Sequence, residues 1–347
     1  MSEATHAAAQ IDLDAVETYL TAHLPGFKGP ISAEKTPTGQ SNPTFILSAA
    51  SGDYVLRRKP PGQLLKSAHA VDREFRVIRA LAGSDVPVPE AFVLCEDDSI
   101  VGSMFYVMKK VEGRIIFDPA IPGVDNDHRA AMYDDMNRVL AALHMVDYEA
   151  RGLGDFGKPG SYFARQLSRW TKQYRASETE TIADMEALIA WLEAETPADD
   201  DRTSIVHGDY RIDNLIYHPT EPRVVAVLDW ELSTLGHPIA DLAYQRMQGR
   251  LPPGEVGRGL MGVDRKALGI PTEDEYVEMY MKRTGLTAIP ELPFATAFGF
   301  FRICAIMQGV KKRGLDGNAS NPEAAARMGE RIPAMAQLAM QCIAEET

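Results

Sequence analysis

Cysteine is scarce in this chain: Cys95, Cys304 and Cys342 are the three among 347 residues, widely spaced and without a CxxC pair. That usage argues against a disulfide framework and against a thiolate zinc site, and it fits a reducing compartment, so a cytoplasmic protein is the expectation. Positive charge is short as well. The 36 Lys and Arg residues face 49 Asp and Glu, a formal net charge of -13. A surface of that sign repels a phosphate backbone, so no nucleic-acid partner is expected. No unbroken apolar run reaches about 18 residues, and the opening MSEATHAAAQIDLDAV lacks a basic stretch followed by an apolar one, so neither a membrane span nor an export leader is expected. Internal repeats and low-complexity tracts are also missing. What remains is a chain that is 45% hydrophobic and long enough for a sizeable core in two or three compact units.

Periodicity divides the chain in two. Residues 11–24 carry apolar positions at helical spacing and stop at Pro25-Gly26. Two β-like runs follow, TFILSAA and YVLRRK, around Ser51-Gly52-Asp53, a turn suited to a hairpin. AHAVDREFRVIRALAG then returns to helical period, and FVLCED and GSMFYVMKKV read as two further strands. From about Asn126 helices dominate, in HRAAMYDDMNRVLAALHMV, SYFARQLSRWTKQYR and IADMEALIAWLEAE. Short strands interrupt them at residues 204–229, around the polar cluster HGDYRIDN. The reading is an α+β chain of two lobes: residues 1–110 with a leading helix and a small sheet, and residues 111–347, larger and mostly helical.

The polar cluster carries the chemistry. In His207-Gly208-Asp209-Tyr210-Arg211-Ile212-Asp213-Asn214, four residues separate Asp209 from Asn214, and Val227-Leu228-Asp229 follows after a hairpin. Phosphoryl transfer needs a carboxylate to orient the acceptor hydroxyl and hard oxygen donors to hold magnesium against the phosphates. A D-x-x-x-x-N loop followed by an Asp at a strand end supplies that set, with glycine where the protein-kinase template has arginine after the histidine.

HGDYRIDNLIYHP together with VLDWELSTLGHPIADLAY resembles the aminoglycoside-phosphotransferase-like family, which includes choline-kinase-like enzymes. The resemblance implies a protein-kinase-like two-lobed fold, with ATP and Mg²⁺ as cofactors. It also implies Asp209 as catalytic base, Asn214 and Asp229 as magnesium ligands, and Asp241 as a brace that accepts backbone hydrogen bonds from the catalytic loop. Arg211 would then face the transferred phosphate. His207 reads as a hydrogen-bonding post that shapes the loop.

The N-terminal unit is read for the nucleotide. Gly39, Gln40, Ser41 and Asn42 lie between two strands, where small residues let backbone N–H groups approach phosphates. Strand alternation places Arg57 and Lys59 on one face and Arg58 on the other. Arg57 stands where the family has its phosphate-binding lysine, with Lys59 as the alternative. Glu74 on the next helix is the expected ion-pair partner, with Asp72 as its rival. The run from Met108 to Gly113, with Lys109 and Val111 in it, resembles the hinge between lobes whose backbone would hold adenine.

Only eleven residues separate Asp229 from Asp241, too few for a phosphorylatable activation loop, so a small-molecule acceptor is expected. GQSNPTF, YVLRRKPPG and SAHAVDREFRVI are similar to the branch that occurs fused to acyl-CoA dehydrogenases, which implies a hydroxylated acyl group or its CoA thioester as acceptor. Arg165, Arg169, Lys172 and Arg175, or Lys311, Lys312 and Arg313, offer contacts for the CoA anion, although solvated helix faces carry such residues routinely. An aminoglycoside- or choline-type acceptor, a noncatalytic nucleotide-binding protein, and a metal-dependent hydrolase using His207, Asp209 and Asp229 are the competing readings.

Overall fold

The computed structural model describes residues 11–36, 42–60, 70–254, 258–317 and 321–346. The chain groups into two compact units, one of residues up to 116 with 148–156 and 213–233, the other of 117–147, 157–212 and 234–347. The expected cut after residue 110 follows the chain. Compactness does not, because two later segments return to the N-terminal one.

The first unit is built on five antiparallel strands: β1 (Ser32–Lys35), β2 (Thr44–Ala49), β3 (Gly52–Arg58), β4 (Ala91–Cys95) and β5 (Phe105–Lys109), in the order β1-β2-β3-β5-β4. β2 and β3 form the expected hairpin, and its turn needs Gly52, whose φ of 131° is costly for any side chain. β1, fully exposed, was not separated by the sequence pattern because SAEK has no apolar face to alternate. One face of the sheet buries Phe45, Leu47, Tyr54, Leu56, Phe105 and Val107 against Val16 and Leu20 of α1 (Leu13–His23). Each such side chain contributes about 1.5–3 kcal/mol, so α1 is held by its apolar stripe rather than by propensity. Asp12 caps it by accepting from Ala15 N–H.

The opposite face carries Arg57, flanked in register by Thr44 and Tyr106. Helix α2 (Val71–Leu81) brings Glu74 to this side. A four-residue helix, α3 (Asp98–Val101), precedes β5. The later segments of this unit add β8 (Leu215–Tyr217) and β9 (Val224–Val227), which join β6 (Arg114–Ile115) in a three-stranded sheet ordered β6-β8-β9.

The second unit is mostly helical: α4 (Asn126–His144), α5 (Tyr162–Ser177), α6 (Ala183–Ala194), α7 (Ile239–Gly249), α8 (Glu273–Thr284), α9 (Leu292–Leu315), α10 (Pro322–Gly329) and α11 (Ile332–Glu346). Its strands are β7 (Ser204–Val206) and β10 (Thr234–Gly236), paired antiparallel; β10 lies just beyond the stretch in which strands were expected. The helix α9 has the length and composition to cross a bilayer, yet 67% of its most apolar stretch is buried inside the protein. Phe294 and Phe298 meet Phe163 of α5, and Phe301 meets Tyr174, so the aromatic run of α9 is core packing.

Candidate active site

In the first unit, the register of β3 sets where each cation points. Alternation sends Arg58 to the α1 side, where it is buried over the Phe45 ring and donates to the Val101 carbonyl at 2.8 Å. Arg57 points the other way. Its Nη1 lies 3.4 Å from Glu74 Oε2, and its Nη2 donates to Asp229 Oδ1 at 3.0 Å. Lys59 pairs instead with Asp72, at 3.6 Å and more exposed. The two cations thus sit in two separate ion pairs, with Arg57–Glu74 the buried one.

Glu74 is fully buried, and three groups hold it. Asn42 Nδ2 donates to Oε1 at 2.8 Å, Tyr106 Oη donates to Oε2 at 3.1 Å, and Arg57 supplies the charge. Burial pushes the Glu74 carboxyl up to about 7, against the opposite pull of Arg57. Burial by itself would lower the Arg57 guanidinium; Glu74, then Tyr106 and Asp229, outweigh it and hold Arg57 above its ordinary value. Burial and then Glu74 raise the Tyr106 phenol well above its usual range, so it donates as a neutral hydroxyl. Asn42, expected beside phosphates, thus spends its side chain on Glu74. Gly39, Gln40 and Ser41 lie outside the described residues.

Tyr106 escaped the sequence reading. Its signal was the cross-strand pairing of β5 with β3, which is separated by about fifty residues and leaves no local pattern. Lys109 is exposed at the end of β5, and its N–H already donates to the Glu90 carbonyl at 2.8 Å. Val111 follows, half-buried, before β6.

The two expected magnesium ligands also belong to this unit. Asn214 ends a short 3-10 helix, and its carbonyl accepts from Leu228 N–H at 2.8 Å, which ties the two segments together one residue before Asp229. Asp229 has φ 66°, a left-handed conformation uncommon for a side-chain-bearing residue outside functional turns. Its side chain is 35% exposed, so it keeps oxygen surface for a ligand despite its bond to Arg57.

In the second unit, β7 leads into His207, Gly208 and Asp209. The buried Asp241, in the first turn of α7, accepts from His207 N–H at 2.6 Å and from Gly208 N–H at 2.8 Å. Burial would raise this carboxyl, but His144 first and then His207 pull it below its ordinary value. His144 Nε2 lies 3.3 Å from Asp241 Oδ2, and its Nδ1 is 2.7 Å from the Tyr280 hydroxyl. His144, which no sequence motif singled out, is part of this brace. Gly208 sits at φ 83°, which permits the turn, and its carbonyl accepts from Arg302. His207 Nδ1 accepts from the Asp209 N–H at 3.2 Å, the loop-shaping role expected of it.

Asp209 itself is half-buried. Tyr244 feels its charge: burial first, then Asp209, raises the phenol above its usual value, while Arg302 and Arg211 act in the opposite sense. Arg302 lies over the Tyr244 ring, 4.8 Å from its centroid. Arg302 and Tyr244 were not read from the sequence, since α9 and α7 showed only core patterns there. The compact units divide between Ile212 and Asp213, so the motif supplies Asp209 and Arg211 to one and Asn214 to the other.

Among the described residues, one group of three metal-type side chains converges: Asp200, His237 and Glu291. Arg202 already bridges both carboxylates. His237 Nδ1 accepts from Ile239 N–H at 3.4 Å, which leaves the proton on Nε2, facing Asp200. The cation of that cluster is an arginine, and the cluster includes none of His207, Asp209 and Asp229, the ligands that the hydrolase reading needs.

Residues 32–261 match the model of the phosphotransferase enzyme family APH. The chain is 48% identical over 338 residues to acyl-CoA dehydrogenase family member 10 of Mus musculus, covering 97% of this chain and 31% of that protein. Identity to acyl-CoA dehydrogenase family member 11 of Homo sapiens is 41%, over 90% of this chain and 41% of that one. The chain thus spans well under half the length of these curated relatives. A crystal structure from Ralstonia eutropha JMP134, of a protein to which aminoglycoside phosphotransferase activity is ascribed, is 50% identical with a TM-score of 0.88, covering 97% of this chain and 99% of that one. Aminoglycoside phosphotransferase APH(4)-Ia, in a ternary complex with AMP-PNP and hygromycin B, shares the fold at 16% identity and TM-score 0.60, over 93% and 98% of the two chains. An antiparallel N-terminal sheet followed by a mostly helical part is the protein-kinase-like fold of these enzymes, and with a family match across about two thirds of its length this chain belongs to the APH phosphotransferase enzyme family.

Proposed function

We propose that this chain transfers the γ-phosphoryl group of ATP to a hydroxyl of a small hydroxyacyl metabolite, carried as its CoA thioester. The observation that carries the reading is the Arg57 guanidinium shared between the buried Glu74 and the half-exposed Asp229. A guanidinium braced by a buried carboxylate is positioned to meet phosphate oxygens, and Asp229 beside it, partly exposed in a left-handed turn, is open to a ligand.

Asn214 and Asp229 fit Mg²⁺: both offer hard oxygen donors, and the Leu228 N–H to Asn214 carbonyl bond joins the segments that carry them. Bound there, the ion would neutralise phosphate charge. Asp209 would orient the acceptor hydroxyl and take its proton, on a loop whose backbone Asp241 holds. Arg211 would stabilise charge on the transferred group. The acyl-CoA acceptor is supported by the names of the curated relatives, acyl-CoA dehydrogenase family members 10 and 11.

ADP release from ATP and Mg²⁺ against hydroxyacyl-CoAs, free hydroxy acids, aminoglycosides, choline and sugars tests the reading. Stimulation by hydroxyacyl-CoAs is expected, with Asp209→Asn lowering turnover roughly 10²–10⁴-fold while nucleotide binding persists. Full turnover in the variant, or stimulation by another class alone, would sink it.

A further inference from the structure

Helix α5 buries Tyr162, Phe163, Leu167 and Tyr174 and turns Arg165, Arg169 and Lys172 outward along one stripe, at i, i+4 and i+7. With Ala164, Ser168 and Gln173 these cations line an open depression of about 700 Å³. Three of the other basic groups that the sequence offered for an anion are already matched. Arg175 is held by Glu186, Lys311 by Glu180 and Lys312 by Asp316.

Among the described residues, Arg165, Arg169 and Lys172 make no ion pair with a carboxylate. Arg165 is fixed by the carbonyls of Lys158 and Pro159, which orient a guanidinium without cancelling its charge. Arg169 lies over the Trp170 ring at 5.6 Å. In a chain of net charge -13, three uncancelled cations on one face are a place for a polyanion.

The face also begins beside the strands that lead into the reactive loop: Tyr162, which opens α5, packs its ring against Gly236 of β10, and β10 pairs with β7, the strand that runs into His207 and Gly208. From Arg165 to Lys172 the helix advances about 10 Å, the spread of a diphosphate and one further phosphate.

We infer that the Arg165, Arg169 and Lys172 face binds the phosphate-bearing nucleotide end of the acceptor, and so selects CoA thioesters over thioesters of uncharged carriers. The inference rests on the acyl-CoA reading above. It assigns the three residues to specificity, with no part in the chemistry.

Two measurements on the full chain test it, comparing wild type with R165A/R169A/K172A and with R169E/K172E, whose two positions are exposed. The first is steady-state kinetics with one hydroxyacyl-CoA and the matching hydroxyacyl-pantetheine thioester. The variants should raise KM for the CoA thioester roughly 10–100-fold, with kcat within about twofold and KM for ATP and for the pantetheine thioester unmoved. Added salt should raise the wild-type KM for the CoA thioester only. The second is calorimetric binding of free CoA, which the variants should weaken equally. Equal CoA affinity in wild type and variants, or no CoA binding by wild type, overturns the face. Turnover of neither thioester by wild type overturns the acyl-CoA reading instead, whatever the calorimetry gives.

Discussion

Arg57 and Asp229 meet at 3.0 Å across 172 residues of chain, Nη2 to Oδ1, while the other end of the same guanidinium reaches Glu74. One fork therefore spans a carboxylate that is sealed and one that is open. The planar five-donor geometry of arginine suits this, where a lysine would offer one point of charge.

Removing that fork leaves Glu74 buried without its cation. Arg57→Met should cost about 3 kcal/mol, the lower end for breaking a buried pair, because Glu74 can take up a proton in relief. Arg57→Lys should cost less but still raise the KM for ATP. Urea unfolding and nucleotide titration of both variants check this, and a Met variant as stable as wild type would show that the pair does not hold the fold.

Glu74 gives the site a pH dependence. Its carboxyl is pushed up to about 7 in the folded protein, above its ordinary value of 4.5, so the folded state binds more protons than the unfolded chain between those values. Stability from this group is complete below the unfolded value and is lost as pH rises toward about 7. Activity should move in the opposite sense, falling as pH drops below about 7 and the Arg57 partner becomes neutral. Glu74→Gln should flatten the fall in melting temperature over that window, and an unchanged slope would remove Glu74 as its source.

Asp241 carries the backbone of the reactive loop. Asp241→Asn replaces one acceptor oxygen with an NH₂ that faces an N–H donor, so about 2–3 kcal/mol of stability should be lost. The looser loop should lower kcat more than it raises KM for ATP. Denaturant unfolding beside steady-state kinetics separates the two effects, and an unchanged kcat would confine Asp241 to stability.

Asp229→Asn keeps the shape of the side chain and removes its charge. The Mg²⁺ concentration for half-maximal activity should rise about tenfold or more, with the fold retained. A magnesium titration that superimposes on that of wild type would assign the metal elsewhere.

The order of elements and the reactive motif were legible in the sequence because both are local. Helical stripes, the β2–β3 hairpin turn and the D-x-x-x-x-N spacing each lie within a few turns or strands of chain. Alternation alone sent Arg57 and Arg58 to opposite faces, and the structure keeps them there. Tertiary structure decided what depends on residues far apart. It chose Glu74 over Asp72 for Arg57, because only Glu74 is walled in by Asn42 and Tyr106. It set His144 between Asp241 and Tyr280, which lie 97 and 136 residues from it along the chain. It also separated basic residues that composition treats alike, by giving Arg175, Lys311 and Lys312 carboxylate partners while Arg165, Arg169 and Lys172 have none among the described residues. Pairing of charges is a property of three-dimensional neighbours, and neighbours are set by strand register and helix packing that no short stretch of sequence encodes.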